Sequence, residues 1–97
     1  MREEDSMVKG RVVISRAGRD KDKALTVLCA DATSVLVADG KERLLERPKR
    51  KNVRHVRKTG VVLPDDALRT NRSLRKALRS FASSQEGGGP RNGTGGN

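Results

Sequence analysis

Three short runs rich in β-branched residues follow one another with almost nothing between them: residues 10–15 (Gly-Arg-Val-Val-Ile-Ser), 24–30 (Ala-Leu-Thr-Val-Leu-Cys-Ala) and 34–38 (Ser-Val-Leu-Val-Ala). The intervening stretches, Arg16-Ala17-Gly18-Arg19-Asp20 and Asp31-Ala32-Thr33, are turn-forming. Parallel strands need a crossover of a dozen or more residues, and no such length is present here. The runs therefore predict antiparallel strands of a small, strongly bent β-barrel. Asp39-Gly40 signals a tight turn after the third run. A short segment, Glu42-Arg43-Leu44-Leu45-Glu46, follows before Pro48 interrupts the chain. Asn52-Val53-Arg54-His55-Val56 reads as a further run and Val61-Val62-Leu63 as a last apolar piece, with Gly60 and Pro64 punctuating the end.

Beyond Pro64 the periodicity changes. Asp65-Asp66-Ala67-Leu68-Arg69 adds one helical turn, and a clearer helix begins at Thr70 or Asn71, either of which can serve as N-cap. Leu74, Ala77, Leu78, Phe81 and Ala82 recur at three and four residues and line one face, which needs a partner; the barrel is the nearest. The last eleven residues hold six Gly and Pro90, a composition expected to stay disordered. The expected plan is a flexible 1–6, a barrel over 7–63, a helical segment over 64–84 and a disordered Gly-rich tail over 85–97.

Charge is distributed unevenly. Residues 1–46 hold nine basic and nine acidic side chains, whereas residues 47–58 hold seven basic residues and no acid. Residues 59–97 add six basic and three acidic, for a formal net charge of +10. A surface that serves only solubility intersperses both signs, as residues 1–46 do. A run of one sign predicts a polyanion whose counterions are released on binding. Nothing apolar flanks the run as a membrane-surface anchor would require. No apolar stretch approaches a transmembrane span, and no long apolar segment follows Met1-Arg2-Glu3-Glu4-Asp5, so neither a membrane nor a secretory signal is expected, and the compartment is expected to be cytoplasmic.

Catalysis comes out poorly. Cys29 and His55 are the sole thiol and imidazole, on different predicted strands, so no activated nucleophile is expected and Cys29 reads as a small apolar strand residue. Asp20-Lys21-Asp22 opens like a calcium loop but has Leu25 where the turn glycine belongs and Asp31 where the bidentate Glu belongs. Neither a metal, a cofactor nor a small-molecule substrate is expected. The barrel region also lacks any aromatic ring on which bases could stack, since the single aromatic residue is Phe81. Recognition of structured RNA through phosphates and shape is the expected mode, and 14 of the 22 basic residues are Arg, suited to bidentate phosphate contacts. His55 either stacks or hydrogen-bonds to nucleic acid, or fills a strand position.

Residues 9–23, Lys-Gly-Arg-Val-Val-Ile-Ser-Arg-Ala-Gly-Arg-Asp-Lys-Asp-Lys, resemble the KOW motif of large-subunit ribosomal proteins and NusG-type transcription factors. In that motif a GxVV strand leads through a glycine turn into a basic GKDKGK-like loop and a second strand. Here the loop reads Gly18-Arg19-Asp20-Lys21-Asp22-Lys23, and Val35-Leu36-Val37-Ala38-Asp39-Gly40 resembles the turn of the archaeal and eukaryotic ribosomal branch. Asp22 stands where the motif has its second glycine, which places an acid in the loop and removes conformational freedom. The resemblance implies an SH3-like barrel, RNA binding and association with ribosomes.

The combined expectation is a mainly β protein, an SH3-like β-barrel followed by one C-terminal α-helix, binding structured RNA, ribosomal RNA in particular, without catalysis. Lys49, Arg50, Lys51, Arg54, Arg57 and Lys58 are expected to contact phosphates, with His55 beside them. Arg16, Arg19 and Lys21 of the first loop form a second patch, and Arg72, Arg75, Lys76 and Arg79 of the helix are weaker candidates. Ribosomal proteins are further candidate partners. The rival expectation is a protein-interaction module that docks on a transcription or translation factor, with the Leu74-to-Phe81 face meeting that partner.

Overall fold

The computed structural model describes residues 7–88, with side chains described through residue 83. Strands β1 (Arg11–Ser15), β2 (Ala24–Ala30), β3 (Ser34–Ala38), β4 (Lys49–Asn52) and β5 (Val56–Val62) precede one helix, α1 (Asn71–Gly88). Every strand pair is antiparallel, and the sheet runs β4-β3-β2-β1-β5. The fold is thus mainly β with a C-terminal helix. The ladder is open, with no pairing between β4 and β5 among the described residues.

The adjacent apolar residues of β1 go to opposite faces. Val13 joins Leu25, Val27, Val35, Val37 and Val56 in one buried cluster, while Val12 joins Ala38 and the α1 residues Leu74, Leu78 and Phe81 in another. A strand covered on both sides reads as a continuous apolar run instead of alternating, which accounts for Val12-Val13-Ile14. Each fully buried aliphatic side chain contributes about 1.5–3 kcal/mol, so the second cluster suffices to hold α1 on the sheet. The apolar helix face thus finds its partner within the chain.

Thr70 is the N-cap: its hydroxyl accepts the Ser73 N–H at 3.0 Å, and the Ser73 hydroxyl accepts the Thr70 N–H at 3.2 Å. Asn71 has a different task. Its Oδ1 accepts the Leu45 N–H at 2.8 Å and its Nδ2 donates to Glu46 at 2.9 Å, tying the helix start to the β3–β4 connection. Gly40 packs so closely against Asn71 that a Cβ there would collide with the Asn71 carbonyl, and its φ of +79° is left-handed.

Four features differ from the sequence-based expectation. Asn52-Val53-Arg54-His55-Val56 is not one strand but the corner between β4 and β5, built on the 3-10 turn Val53–His55. The Asn52 side chain accepts the Arg54 N–H at 2.8 Å and so bends the chain away from the ladder. Gly60 does not end the unit; it lies inside β5, where the β1–β5 register shifts and the Thr59 hydroxyl donates to the Val12 carbonyl at 2.7 Å. Asp39-Gly40 does turn the chain, with the Asp39 carboxylate accepting the N–H groups of Lys41, Glu42 and Arg43, but it opens a loop over residues 39–48 instead of a two-residue hairpin. The backbone of α1 continues to Gly88, past the expected end at residue 84, because Ser84, Gln85 and Glu86 include no helix breaker. Residues 1–6, expected to be flexible, and residues 89–97 of the expected tail lie outside the described residues. Among the described residues no helix is long and apolar enough to cross a membrane.

Candidate nucleic-acid interface

The connection between β1 and β2 is set by backbone hydrogen bonds. The Asp22 N–H donates to the Ser15 carbonyl at 2.7 Å, the Ser15 N–H to the Lys23 carbonyl at 3.0 Å, and the Lys23 N–H to the Asp20 carbonyl at 2.9 Å. Asp22 adopts φ +71°, the left-handed conformation that glycine adopts most readily. Asp tolerates this region better than most residues because its short polar side chain can bond locally. Arg16, Arg19 and Lys21 all remain exposed around the turn.

One acid of this loop faces inward. Asp20 is buried, and its Oδ2 accepts from Arg43 Nη2 at 3.3 Å and lies 3.9 Å from Lys51 Nζ. Lys51 Nζ also donates to the Ala17 carbonyl at 3.4 Å. Burial follows from register: Lys51 pairs with Val35, whose side chain belongs to the core, so the lysine points under the loop. Lys51 was expected among the phosphate contacts, and its placement corrects that. Its side chain is only 8% exposed and already shares a carboxylate, so it anchors the loop from beneath. Arg43 was not singled out from sequence at all; the available signal was Asp20, a lone acid between Arg19 and Lys21.

The two patches expected separately are adjacent. The Arg16 N–H donates to the His55 carbonyl at 2.7 Å, and Ser15 pairs with Val56 in the β1–β5 ladder. The first loop and the β4–β5 corner are thereby zipped together. Lys49, Arg50, Arg54, His55, Arg57 and Lys58 are all exposed. His55 stands on the corner turn, so it does not fill a strand position. With Lys51 withdrawn, eight of the named cations are exposed: Lys49, Arg50, Arg54, Arg57 and Lys58 from the run, and Arg16, Arg19 and Lys21 from the loop. Arg50 is partly engaged, donating to the Ser34 hydroxyl at 3.3 Å. Nearby, Asp31 accepts the Thr33 and Ser34 N–H groups at 2.9 and 2.8 Å, and these bonds hold its carboxyl below the usual carboxylate range.

Cys29 is exposed at the far end of β2, and no hydrogen bond links it to His55 among the described residues. It lies in a strand, as expected of it. No group of three or more His, Cys, Asp or Glu side chains could hold a metal ion among the described residues. Leu74, Leu78 and Phe81 are 0%, 7% and 9% exposed against the sheet, so the helix face reserved for a partner in the rival expectation is occupied. A scan against protein-family models and a search of curated proteins both returned no match to this chain.

Proposed function

We propose that the protein is a non-catalytic RNA-binding module that grips structured RNA, ribosomal RNA in particular, through phosphate and shape contacts. The observation that carries this reading is the Arg16-to-His55 backbone hydrogen bond, which merges two basic segments distant in sequence into one surface. The exposed cations of the first loop and of the basic run lower the free energy of binding any polyanion by releasing its condensed counterions. A buried carboxylate neutralised by two cations keeps the loop in place without presenting negative charge to the ligand.

The finer fold reading is an SH3-like, KOW-type barrel. Supporting it, the two edge strands of the sheet, β4 and β5, are joined by only the three-residue turn Val53–His55. Opposite edges linked so briefly require the sheet to curl back on itself. The lack of an aromatic platform favours phosphate contact over base reading, and the covered helix face weakens the rival reading of a protein-docking module. Association with the ribosome, in the cytoplasm, is part of the proposal.

The test is binding of the full chain to purified ribosomal subunits and to a free RNA hairpin across a salt series. If all eight cations neutralise phosphates, the log–log slope is about −7 on duplex and about −6 on single strands. Changing Lys49, Arg50, Arg54 and Arg57 to Gln should flatten the slope by about four. Binding that is absent, or insensitive to these changes, refutes the proposal.

A further inference from the structure

The outward face of α1 presents Arg72, Arg75, Lys76 and Arg79, all exposed. On a helix of 3.6 residues per turn these positions fall within one stripe, opposite Leu74, Leu78 and Phe81. Each cation has another three or four residues away: Arg72 with Arg75 and Lys76, and Arg79 with Arg75 and Lys76. Like charges at these spacings destabilise a helix, and Arg72 in the first turn also opposes the helix dipole. No acid lies in that first turn, and none of the four cations takes an ion-pair partner among the described residues. Asp22, Asp39 and Glu42 border the same groove as Arg75 and Arg79 without an ion pair to either; Asp39 caps the turn that follows it, and Glu42 pairs with Lys23 at 3.3 Å. A helix that only needed solubility would interleave Glu with these residues.

We infer that α1 is a second phosphate-backbone contact surface, so that the protein holds two segments of one folded RNA. This rests on the RNA reading above and extends it to a face that reading does not use. The stripe is about 10 Å long, enough to meet neighbouring phosphates of one strand. A membrane surface fits less well, because an interfacial helix buries its apolar face in lipid and here that face is buried on the sheet.

Repulsion without a direct ion-pair partner among the described residues makes the expected result unusual for a binding-site variant. Arg72→Gln, Arg75→Gln, Lys76→Gln and Arg79→Gln combined in the full chain should raise Tm by about 4 °C or more. The same variant should flatten the log–log salt slope on a folded RNA by about four, with the loop and corner cations intact. An unchanged slope in this variant, where the Lys49, Arg50, Arg54 and Arg57 variant does lose slope, overturns the inference and leaves the RNA reading standing. Failure of the unaltered protein to bind RNA overturns both. A lowered Tm would make the stripe structural and overturn the inference. So would binding to phosphatidylserine-containing vesicles that needs these four residues while RNA binding does not.

Discussion

Removing the Asp20 carboxylate should unfasten the loop on which the basic surface depends. Asp20→Asn leaves the Lys51 ammonium, 8% exposed, with the Ala17 carbonyl at 3.4 Å in place of a charged partner. Breaking a buried ion pair from one side costs about 3–5 kcal/mol. Arg43 is 27% exposed and can turn to water, which places the expected loss near the lower figure, about 3 kcal/mol. Small domains are stable by only about 0.05–0.15 kcal/mol per residue, so this is a large fraction of the total. At about 4–8 °C per kcal/mol, Tm should fall by about 12–24 °C in a circular dichroism melt. Lys51→Met is the informative companion, because Asp20 keeps Arg43 and the methionine refills the space. It should cost about 1 kcal/mol and leave the RNA salt slope unchanged. A phosphate-contacting lysine would instead lower the slope by about one. Asp20→Asn within about 0.5 kcal/mol of the parent, or a flattened slope in Lys51→Met, would refute the anchoring role.

Asp22→Gly relieves a left-handed residue and removes an acid from the basic loop, so stability should rise by about 0.5 kcal/mol in urea titration while RNA affinity increases. Gly40→Ala should lose at least about 2 kcal/mol, because the new methyl meets the Asn71 backbone at a positive φ; Gly60→Ala, with nothing within 4 Å of its Cβ, is the near-neutral control. Stability should also depend on acid pH through Asp31, whose carboxyl is lowered from 3.8 chiefly by the Thr33 N–H. A depressed carboxylate contributes fully above its unfolded value and loses that contribution as pH falls through the lower folded one, so the loss develops below 3.8. Denaturation midpoints measured downward from about pH 5 should show this acid-side decline, and Asp31→Ala should reduce it.

The legible parts of the fold were those governed by local periodicity. The β-branched runs of β1, β2 and β3 and the three-and-four spacing from Leu74 to Ala82 each announce one element because burial imposes that spacing directly. The corner at Val53–His55 was not legible, because Val53 and Val56 are β-branched residues that favour a strand, while the bend comes from the Asn52 side chain capping Arg54. Gly60 misled for a related reason: it accommodates a register shift inside β5 that only the pairing with β1 reveals. In the candidate site, nine of the ten named residues are exposed, which is the default for Arg and Lys. Lys51 was misread because its burial depends on the β3–β4 register and on Asp20, thirty-one residues away, and neither is a local property of a basic run.

The most direct test of the central claim is an NMR titration of the isotopically labelled full chain with a short RNA hairpin. Amide shift changes should concentrate in the two segments that the Arg16-to-His55 hydrogen bond joins, residues 16–21 and 49–58, and should move together along one binding curve. Changes confined to one segment, or scattered over faces remote from both the joined surface and the α1 stripe, would contradict a single basic surface built from the loop and the corner.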